Sequence, residues 1–256
     1  MVEPLLQTEV LAKRFGGIVA TDDVTLSIAP GELHAVIGPN GAGKTTLIAQ
    51  LSGQLAPDAG RIRFAGHDIS ALPMHKRSAL GLARSFQITS LFLDLSVLDN
   101  VALAVQAQAG HSFHFWRNAR TEAGLRQPAR AALARVGLEA RAEQPASALS
   151  HGEHRLLELA RALAGNPRML LLDEPMAGLG PEESARMVGM LRELKKELTI
   201  LLVEHDMEAV FALADRITVL VYGRVIASGA PADIRANAAV RDAYLGEAEA
   251  EGAGHG

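Results

Sequence analysis

The segment Gly38–Thr45, with the sequence GPNGAGKT, narrows the possible folds of this chain more than any other part of it. It fits the pattern G-x-x-x-x-G-K-[ST] and lies between an apolar strand predicted at Leu33–Ile37 and a helix predicted to begin at Lys44 and end near Gly53. Glycines let such a loop wrap around phosphate oxygens with its N–H groups directed inward, and the positive end of the helix dipole adds attraction. The segment therefore predicts a site for a nucleoside triphosphate.

The positions of this loop have distinct expected roles. We expect Lys44 to neutralise the β- and γ-phosphates, Thr45 to bind Mg²⁺ through its hydroxyl, and Thr46 to contact the α-phosphate. The alternative is a glycine-rich turn that only precedes an ordinary helix. The other nucleotide-binding positions predicted here are Gly38, Pro39, Asn40, Gly41, Ala42 and Gly43.

A second apolar strand, predicted at Met169–Leu172, ends in the two acids Asp173 and Glu174. Acids at the end of a buried strand lie at the carboxyl edge of the sheet, where open α/β folds bind ligands. Asp173 can hold Mg²⁺, and Glu174 can polarise the attacking water as a general base. An acid pair after a strand is by itself more typical of a turn. Together with the phosphate loop, it predicts hydrolysis of the nucleotide.

Composition limits the partners and the compartment. Lys and Arg number 25 against 29 Asp and Glu, a net charge of −4, which argues against nucleic acid as the main partner. The chain has no Cys, so disulfides, thiolate catalysis and Cys-based zinc sites are excluded. No segment approaches the roughly 20 apolar residues that cross a bilayer, and the start of the chain is not typical of a secretory signal. Residence in the cytoplasm is the default expectation.

The predicted elements change character along the chain. The first part has short strands around one helix, with strands at Leu5–Leu11, Val24–Ile28 and Arg61–Phe64. Residues 90–165 have a helical spacing of apolar residues and are expected to form a helical insert. Strands and helices alternate afterwards, which predicts parallel strands joined by helical crossovers. These later elements are strands at Met169–Leu172, Thr199–Val203, Ile217–Val221 and Val225–Ala227, and helices at Pro181–Glu197 and Asp206–Ala214.

A short segment between the two phosphate-site motifs indicates a family. Residues Leu149–Glu153, LSHGE, are similar to the LSGGQ signature of the ATP-binding subunits of ABC transporters, and they precede the strand of Asp173 as in that family. The chain resembles these subunits from about Leu5 to Gly246. The resemblance implies an α/β fold, namely a P-loop NTPase core of the RecA-like type with an N-terminal antiparallel β subdomain and an inserted helical subdomain.

The same resemblance implies a division of the chain. A single ABC ATPase domain is expected over residues 1–246, with the nucleotide-binding core and its β subdomain at 1–88 and 166–246. A helical signature subdomain is expected at 89–165. Residues 247–256 are low in complexity and are predicted to be a disordered tail.

In this family the signature begins a helix, and its Ser and second Gly contact the γ-phosphate of ATP held by the opposite subunit. The resemblance therefore assigns Ser150 and Gly152 to ATP binding. His151 and Glu153 depart from the family's Gly and Gln. The alternative is a capping box without further function, in which Ser150 is the N-cap and Glu153 the N3 residue.

The resemblance assigns three further loops and one aromatic residue. Gln87 is expected to contact Mg²⁺ or water and to sense nucleotide, and His205 to hydrogen-bond the γ-phosphate as the switch histidine. Phe15 is expected to stack on adenine, the alternative being an ordinary strand aromatic. Ala177–Gly180 resembles the loop that crosses to the other subunit. Its last position is usually Asp, or Asn in some branches, and Gly180 cannot make a side-chain contact there. The expected catalytic residues are thus Glu174, His205 and Lys44, the metal-binding residues Thr45, Gln87 and Asp173, and the cofactors ATP and Mg²⁺.

The family's working unit implies several partners. A homodimer, or a heterodimer with a second ABC ATPase subunit, is expected to close head to tail on two ATP molecules and to open after hydrolysis. Two transmembrane permease subunits would use this motion, with an extracytoplasmic substrate-binding protein as an indirect partner, and the chain would lie on the cytoplasmic face of the inner membrane. Leu91, Phe92 and Leu93 would line the permease groove, or else belong to the core of the helical insert.

Within the family, the chain resembles the ATPase of bacterial importers for branched-chain amino acids and related small acids or amides. The residues that carry this resemblance are Phe15–Gly17, Phe115–Arg117 and Ile226–Gly229. One alternative is a soluble ABC ATPase that acts on ribosomes, DNA or metal-cluster assembly. Another is a small-molecule kinase or GTPase that shares only the phosphate loop, but the chain has no N-K-x-D motif and does contain Leu149–Glu153.

Overall fold

The computed structural model describes residues 3–85, 91–108 and 123–243, which form two β-sheets and a set of helices. The strands are β1 (Leu6–Phe15), β2 (Ile18–Ile28), β3 (Leu33–Ile37), β4 (Ala59–Phe64), β5 (His67–Asp68), β6 (Leu82–Arg84), β7 (Met169–Asp173), β8 (Thr199–Val203), β9 (Arg216–Val221) and β10 (Arg224–Gly229). The α-helices are α1 (Lys44–Ser52), α2 (Met74–Ala79), α3 (Val97–Gln108), α4 (Ala123–Arg135), α5 (His151–Leu163), α6 (Pro181–Leu194), α7 (Met207–Leu213) and α8 (Pro231–Ala236).

The larger sheet has the strand order β10-β9-β3-β8-β7-β6. Strands β9, β3, β8, β7 and β6 are parallel, and only the edge strand β10 is antiparallel to its neighbour. Parallel strands end at the same edge of a sheet, so the loops after β3, β8 and β7 meet there. The alternation of strands and helices after residue 165 thus gives parallel strands for β7, β8 and β9, as the sequence predicts. The prediction is wrong for the last strand, β10, because only two residues separate it from β9, so the two strands form an antiparallel hairpin.

The parallel strands are buried on both faces, which explains why they read as continuous apolar runs. In β7, Leu170 and Leu172 pack with the helices between β6 and β7, while Met169 and Leu171 pack with α1 and the smaller sheet. Every residue of β7 is buried, including Asp173 at its end. The Asp173 carboxylate therefore lies in the protein interior, at the carboxyl edge of this sheet.

The smaller sheet is antiparallel, with the order β2-β1-β4-β5. Its first two strands extend beyond the predicted ranges of Leu5–Leu11 and Val24–Ile28 to Leu6–Phe15 and Ile18–Ile28. The added residues form a β-hairpin in which Phe15 pairs with Ile18 and the pairing register shifts at several points along the strands. The sequence missed this extension because few of these residues are buried, so the apolar alternation stops early.

Three α-helices and two short 3-10 helices lie between β6 and β7 among the described residues, in the stretch where the sequence predicts a helical insert. Helix α1 begins at Lys44 as expected, and Gly53 ends it in a left-handed conformation with φ of 81°. Helix α6 ends at Leu194, one turn short of the prediction. The apolar positions of the predicted α4 pattern are indeed buried, namely Leu125, Ala129, Ala132, Leu133 and Val136.

The short helix α2 was not predicted, because six residues are too few for a recognisable helical period. Tertiary hydrogen bonds hold it instead. The Arg77 guanidinium is fully buried and donates to four backbone carbonyl oxygens over 2.7–3.0 Å. Burial lowers the pKa of Arg77 to about 10. The acceptors are Gln50, Leu51, Ser70 and Leu72, so this side chain joins α2 to the last turn of α1.

We expect Arg77→Met to lower the free energy of unfolding by about 3 kcal/mol or more, because it leaves four carbonyl groups without their charged donor. For a chain of this size, the melting temperature should fall by roughly 6–12 °C. Thermal unfolding followed by circular dichroism measures this. Lys76→Met, at the exposed neighbouring position, is the control and should change little. Equal melting temperatures for the two variants would contradict the structural role of Arg77.

Candidate functional site

The loop after β3 approaches one strand of each sheet so closely that its glycines are required. At Gly38, with φ of 153°, a Cβ atom would overlap the carbonyl oxygen of Leu220 in β9. At Gly43, with φ of 100°, a Cβ atom would overlap the carbonyl oxygen of Ala20 in β2. Both glycines adopt positive φ angles that side chains disfavour. The backbone path of this loop is therefore fixed by its close packing against β9 and β2 as well as by its own glycines.

Lys44 places its ammonium group inside the curve of this loop. The residue is buried, and its Nζ donates to the carbonyl oxygens of Gly38 at 2.5 Å and Pro39 at 2.9 Å. Thr45, which is exposed, and Thr46 follow in the first turn of α1. The structure thus gathers a cation, two hydroxyl residues and a helix N-terminus in one place, which is an arrangement suited to phosphate groups.

Asp173 has a fully buried side chain at the end of β7. Its Oδ2 accepts a hydrogen bond from Arg84 Nη2 at 3.0 Å, whereas its Oδ1 is buried and has no hydrogen-bond partner. Burial raises the pKa of this carboxyl; the Arg84 charge opposes the rise and Glu174 adds to it. Buried polar atoms are rarely left without a partner, and carboxylate oxygens are ligands that Mg²⁺ prefers. The unpartnered oxygen therefore fits a divalent cation.

Glu174 and His205 lie close together although they follow different strands. Glu174 has a left-handed backbone with φ of 50°, which is uncommon for a residue with a side chain and is enriched at functional sites. Its N–H donates to the Val203 carbonyl at 2.9 Å, which joins the ends of β7 and β8. Glu174 Oε1 lies 3.9 Å from His205 Nδ1, with 29% and 64% of the side chains exposed. Both groups are accessible to a bound molecule.

Glu204 fixes the loops on either side of this pair. Its buried carboxylate accepts hydrogen bonds from the backbone N–H groups of Met176 and His205, both at 2.9 Å, and of Asp206 at 3.3 Å. Its Oε2 also lies 3.7 Å from His205 Nδ1. One carboxylate therefore joins the segment after Glu174 to the segment that carries His205.

The signature segment begins α5. Ser150 is the N-cap, its Oγ accepts from the Glu153 N–H at 3.2 Å, and Glu153 Oε2 accepts from the Ser150 N–H at 2.9 Å. The capping box that the sequence offers as an alternative is thus present. It uses the Ser150 hydroxyl as an acceptor, so the O–H group can still donate to an anion. Gly152 packs beside α6, where a Cβ atom would overlap the Glu183 side chain.

The remaining predicted positions belong to other segments of the chain, and some lie outside the described residues. Phe15 ends β1 with 49% of its surface exposed, and Lys13 Nζ lies 5.7 Å from its ring centre. Gly178, within the loop Ala177–Gly180, lies next to the His151 ring. Gln87, the residues 115–117 and the tail 247–256 lie outside the described residues.

Two residues at the site were not predicted as functional, namely Arg84 and Glu204. The sequence does contain a signal for Glu204, because this acid directly follows the apolar strand Thr199–Val203, much as Asp173 follows the apolar run of β7. Arg84 ends a strand of only three residues, and nothing in the sequence pairs it with Asp173. Its role follows only from the pairing of β6 with β7.

The sequence matches the family described as ABC transporter over residues 21–177, and the family described as branched-chain amino acid ATP-binding cassette transporter over residues 224–250. One relative is the high-affinity branched-chain amino acid transport ATP-binding protein LivG of Escherichia coli (strain K12). It is 39% identical to this chain, and the match covers 97% of this chain and 100% of LivG.

Solved structures agree with this assignment. The ADP conformation of an ATP-binding cassette of an ABC transporter has a TM-score of 0.85 and 30% identity, covering 96% of this chain and 100% of that one. A cassette solved as a dimer in a post-hydrolysis state, bound to ADP and Pi, has a TM-score of 0.75 and 25% identity, covering 88% and 98%.

These matches run through the phosphate loop, the signature and the strand of Asp173, and they confirm the α/β fold of a P-loop NTPase. They speak against a kinase or GTPase that shares only the loop, and they favour a transporter subunit over a soluble ABC ATPase. This chain belongs to the ABC transporter family, as an ATP-binding and ATP-hydrolysing subunit.

Proposed function

We propose that this chain hydrolyses ATP at the carboxyl edge of its larger sheet and thereby drives the import of branched-chain amino acids. The observation that carries the proposal is the convergence of Lys44, Asp173, Glu174 and His205 after the neighbouring parallel strands β3, β8 and β7. These groups supply what phosphoryl transfer to water requires, namely charge neutralisation, a metal ligand, a base and a hydrogen-bonding group on the γ-phosphate.

The loop N–H groups and Lys44 bind the phosphates in this proposal, and Phe15 stacks on adenine at its exposed face. The Asp173 carboxylate and the Thr45 hydroxyl hold the Mg²⁺, with Gln87 as a further candidate ligand. When bound, Mg²⁺ supplies stabilisation of the charge that develops on the phosphate oxygens. The unpartnered Oδ1 of Asp173 supports its assignment as a ligand.

Glu174 acts as the general base. Its carboxylate takes a proton from the attacking water while the water oxygen forms a bond to the γ-phosphorus and the bond to the β–γ bridging oxygen breaks. His205 donates a hydrogen bond to the γ-phosphate. The 3.9 Å between Glu174 Oε1 and His205 Nδ1 supports their action at one phosphate, Glu174 on the attacking water and His205 on the γ-phosphate itself.

The second part of the proposal is a head-to-tail dimer, as a homodimer or with a second ABC ATPase subunit. The N-terminus of α5, with Ser150 and Gly152, would complete the phosphate site of the opposite subunit. A related cassette has been solved as a dimer after hydrolysis with ADP and Pi, which supports this arrangement. Loss of the γ-phosphate contacts after hydrolysis would let the dimer open.

The cargo follows from similarity. LivG is named as a branched-chain amino acid transport protein, and the match over residues 224–250 is to a family named for the same cargo. We therefore assign leucine, isoleucine and valine, or related small acids and amides, as the transported molecules. An extracytoplasmic binding protein would deliver them, and no nucleic acid is needed at any step.

Transport requires two permease subunits in the membrane. None of the helices within the described residues is long and apolar enough to cross a bilayer. We place the chain on the cytoplasmic face of the inner membrane, held by the permeases.

Phe92 and Leu93 are about half exposed and suit an apolar partner helix, whereas Leu91 packs partly against the helical core. A cavity of about 220 Å³ between α2, α3 and α5 adds a concave surface on these helices.

We also propose the domain division that the resemblance implies. Residues 1–88 and 166–246 would form the nucleotide-binding core with its antiparallel subdomain, and residues 89–165 the helical signature subdomain. The packing of α3, α4 and α5 against one another supports this division, although their apolar cluster continues into β7, β8 and α6 of the core.

Glu174→Gln should bind ATP and lower its turnover by about 10²- to 10⁴-fold, because it keeps the shape of the side chain and removes the base. Phosphate release measures turnover, and equilibrium dialysis measures ATP binding. Glu182→Gln, an exposed acid in the first turn of α6, is the control and should hydrolyse ATP normally. Unchanged turnover in Glu174→Gln would exclude its assigned role.

Ser150→Asp should prevent ATP-dependent dimerisation when it is combined with Glu174→Gln. Asp is as good an N-cap as Ser, so helix α5 is kept, but its carboxylate would face the phosphate of the opposite subunit. Light scattering after size exclusion measures the mass with ATP present. Ser150→Thr keeps the hydroxyl and should still dimerise. A dimer of Ser150→Asp at the same ATP concentration would place Ser150 away from the interface.

Cells that carry Lys44→Ala in place of the native chain should lose ATP-driven uptake of leucine, because the phosphates lose their main cation. Uptake of radiolabelled leucine, isoleucine and valine measures this, with proline uptake as the internal comparison. Lys76→Ala is the matched control. Normal leucine uptake together with loss of another solute would reject the assigned cargo while leaving the ATPase role intact.

A further inference from the structure

We propose that Arg84 is a positioning residue that holds Asp173 in one orientation, so that the carboxylate presents Oδ1 alone to the divalent cation. The inference deepens the proposed function and rests on its assignment of Asp173 as a metal ligand. Arg84 itself does not touch the nucleotide in this proposal. It acts through the carboxylate that it holds.

The Arg84 guanidinium connects Asp173 to the far end of α1. Its Nη2 donates to Asp173 Oδ2 at 3.0 Å, and its Nη1 donates to Gln54 Oε1 at 2.6 Å and to Ser52 Oγ at 3.4 Å. The two ionic side chains are 7% and 0% exposed. Helix α1 carries Lys44 and Thr45 at its other end. The bridge thus ties the carboxylate to the helix that supplies the phosphate site.

The backbone around this bridge leaves little freedom. Strands β6 and β7 are parallel neighbours in which Arg84 pairs with Leu171, and the Ser85 N–H donates to the Leu171 carbonyl at 3.0 Å. A guanidinium is planar and directs its N–H groups at fixed angles, so it can engage the carboxylate on one side and Gln54 on the other. Lys could replace the charge but not this geometry.

The two oxygens of Asp173 are therefore not equivalent. Arg84 occupies Oδ2, while Oδ1 is buried without a partner. A carboxylate fixed in this way can offer one oxygen to a cation and cannot turn to offer both. Removal of Arg84 would leave a buried carboxylate free to rotate and without its counter-charge, which is unfavourable in the interior.

Binding of ATP with and without Mg²⁺ tests the inference, using proteins that carry Glu174→Gln so that no hydrolysis intervenes. The measured quantity is the ratio of ATP affinity in Mg²⁺ to ATP affinity in EDTA. Loss of the groups that orient metal ligands typically costs 10- to 100-fold in metal affinity. We expect Arg84→Met to lower the ratio by about that factor, with the affinity in EDTA nearly unchanged.

Two further variants complete the experiment. Gln54→Leu removes the exposed anchor of Arg84 without touching the ion pair, and it should lower the ratio severalfold. It also decides the question if Arg84→Met does not fold. Arg126→Met removes an arginine from a partly buried ion pair with Asp99 in the helical region, and it should leave the ratio unchanged.

The outcomes separate this inference from the proposed function. The reference is the protein with Glu174→Gln alone. If Arg84→Met has the same affinity ratio as this reference, or loses ATP affinity equally in Mg²⁺ and in EDTA, the positioning role is overturned. An unchanged ratio in Gln54→Leu does the same where Arg84→Met does not fold. If Mg²⁺ does not change the ATP affinity of the protein with Glu174→Gln alone, the proposed metal site is overturned, and this inference with it.

Discussion

The parallel alignment of β3, β8, β7 and β6 is the constraint on which the rest of the site depends. Val203 pairs with Val36 on one side and with Asp173 on the other, so the ends of three strands stand level. Groups that are far apart in the sequence, from Lys44 to His205, therefore meet at one edge. A slip of one residue in β7 would turn Asp173 to the opposite face of the sheet. The apolar residues buried on both faces of these strands prevent that slip.

The charged groups at this edge fall into two kinds. Asp173 and Glu204 are buried, and each is held by donors, the first by a guanidinium and the second by three backbone N–H groups. Glu174 and His205 are accessible and make only long contacts with each other. Buried carboxylates of this kind fix geometry, because leaving them unpaired is costly. The accessible pair is free to respond to a bound nucleotide, which suits groups that exchange or share protons.

The sequence predicted those parts of the site whose residues are neighbours along the chain. The loop Gly38–Thr45 and the pair Asp173–Glu174 are recognisable because glycine spacing and strand-end acids are local patterns. The bridge from Arg84 to Asp173 is a contact across two strands, so its recognition needs the strand order. Helix α2 could not be predicted from the sequence for the same reason, because its stability comes from contacts between distant segments. These contacts are the hydrogen bonds of buried Arg77 to carbonyl groups of α1. Local sequence patterns thus identify the reactive residues, and the pairing of strands and helices in the fold determines which contacts fix their side chains.

The departures in the signature are accommodated within the chain. His151 lies against Gly178, where a Cβ atom would stand 3.2 Å from its Nε2, so a larger residue at 178 would crowd the ring. Arg141 Nε donates a hydrogen bond to Glu153 Oε1 at 3.0 Å, and this bond is the main cause that lowers the pKa of Glu153. Glu153 therefore stays ionised and still closes the capping box with Ser150. Because His151 and Glu153 both have local partners, α5 begins with a regular capping box, although the signature differs from the family's pattern.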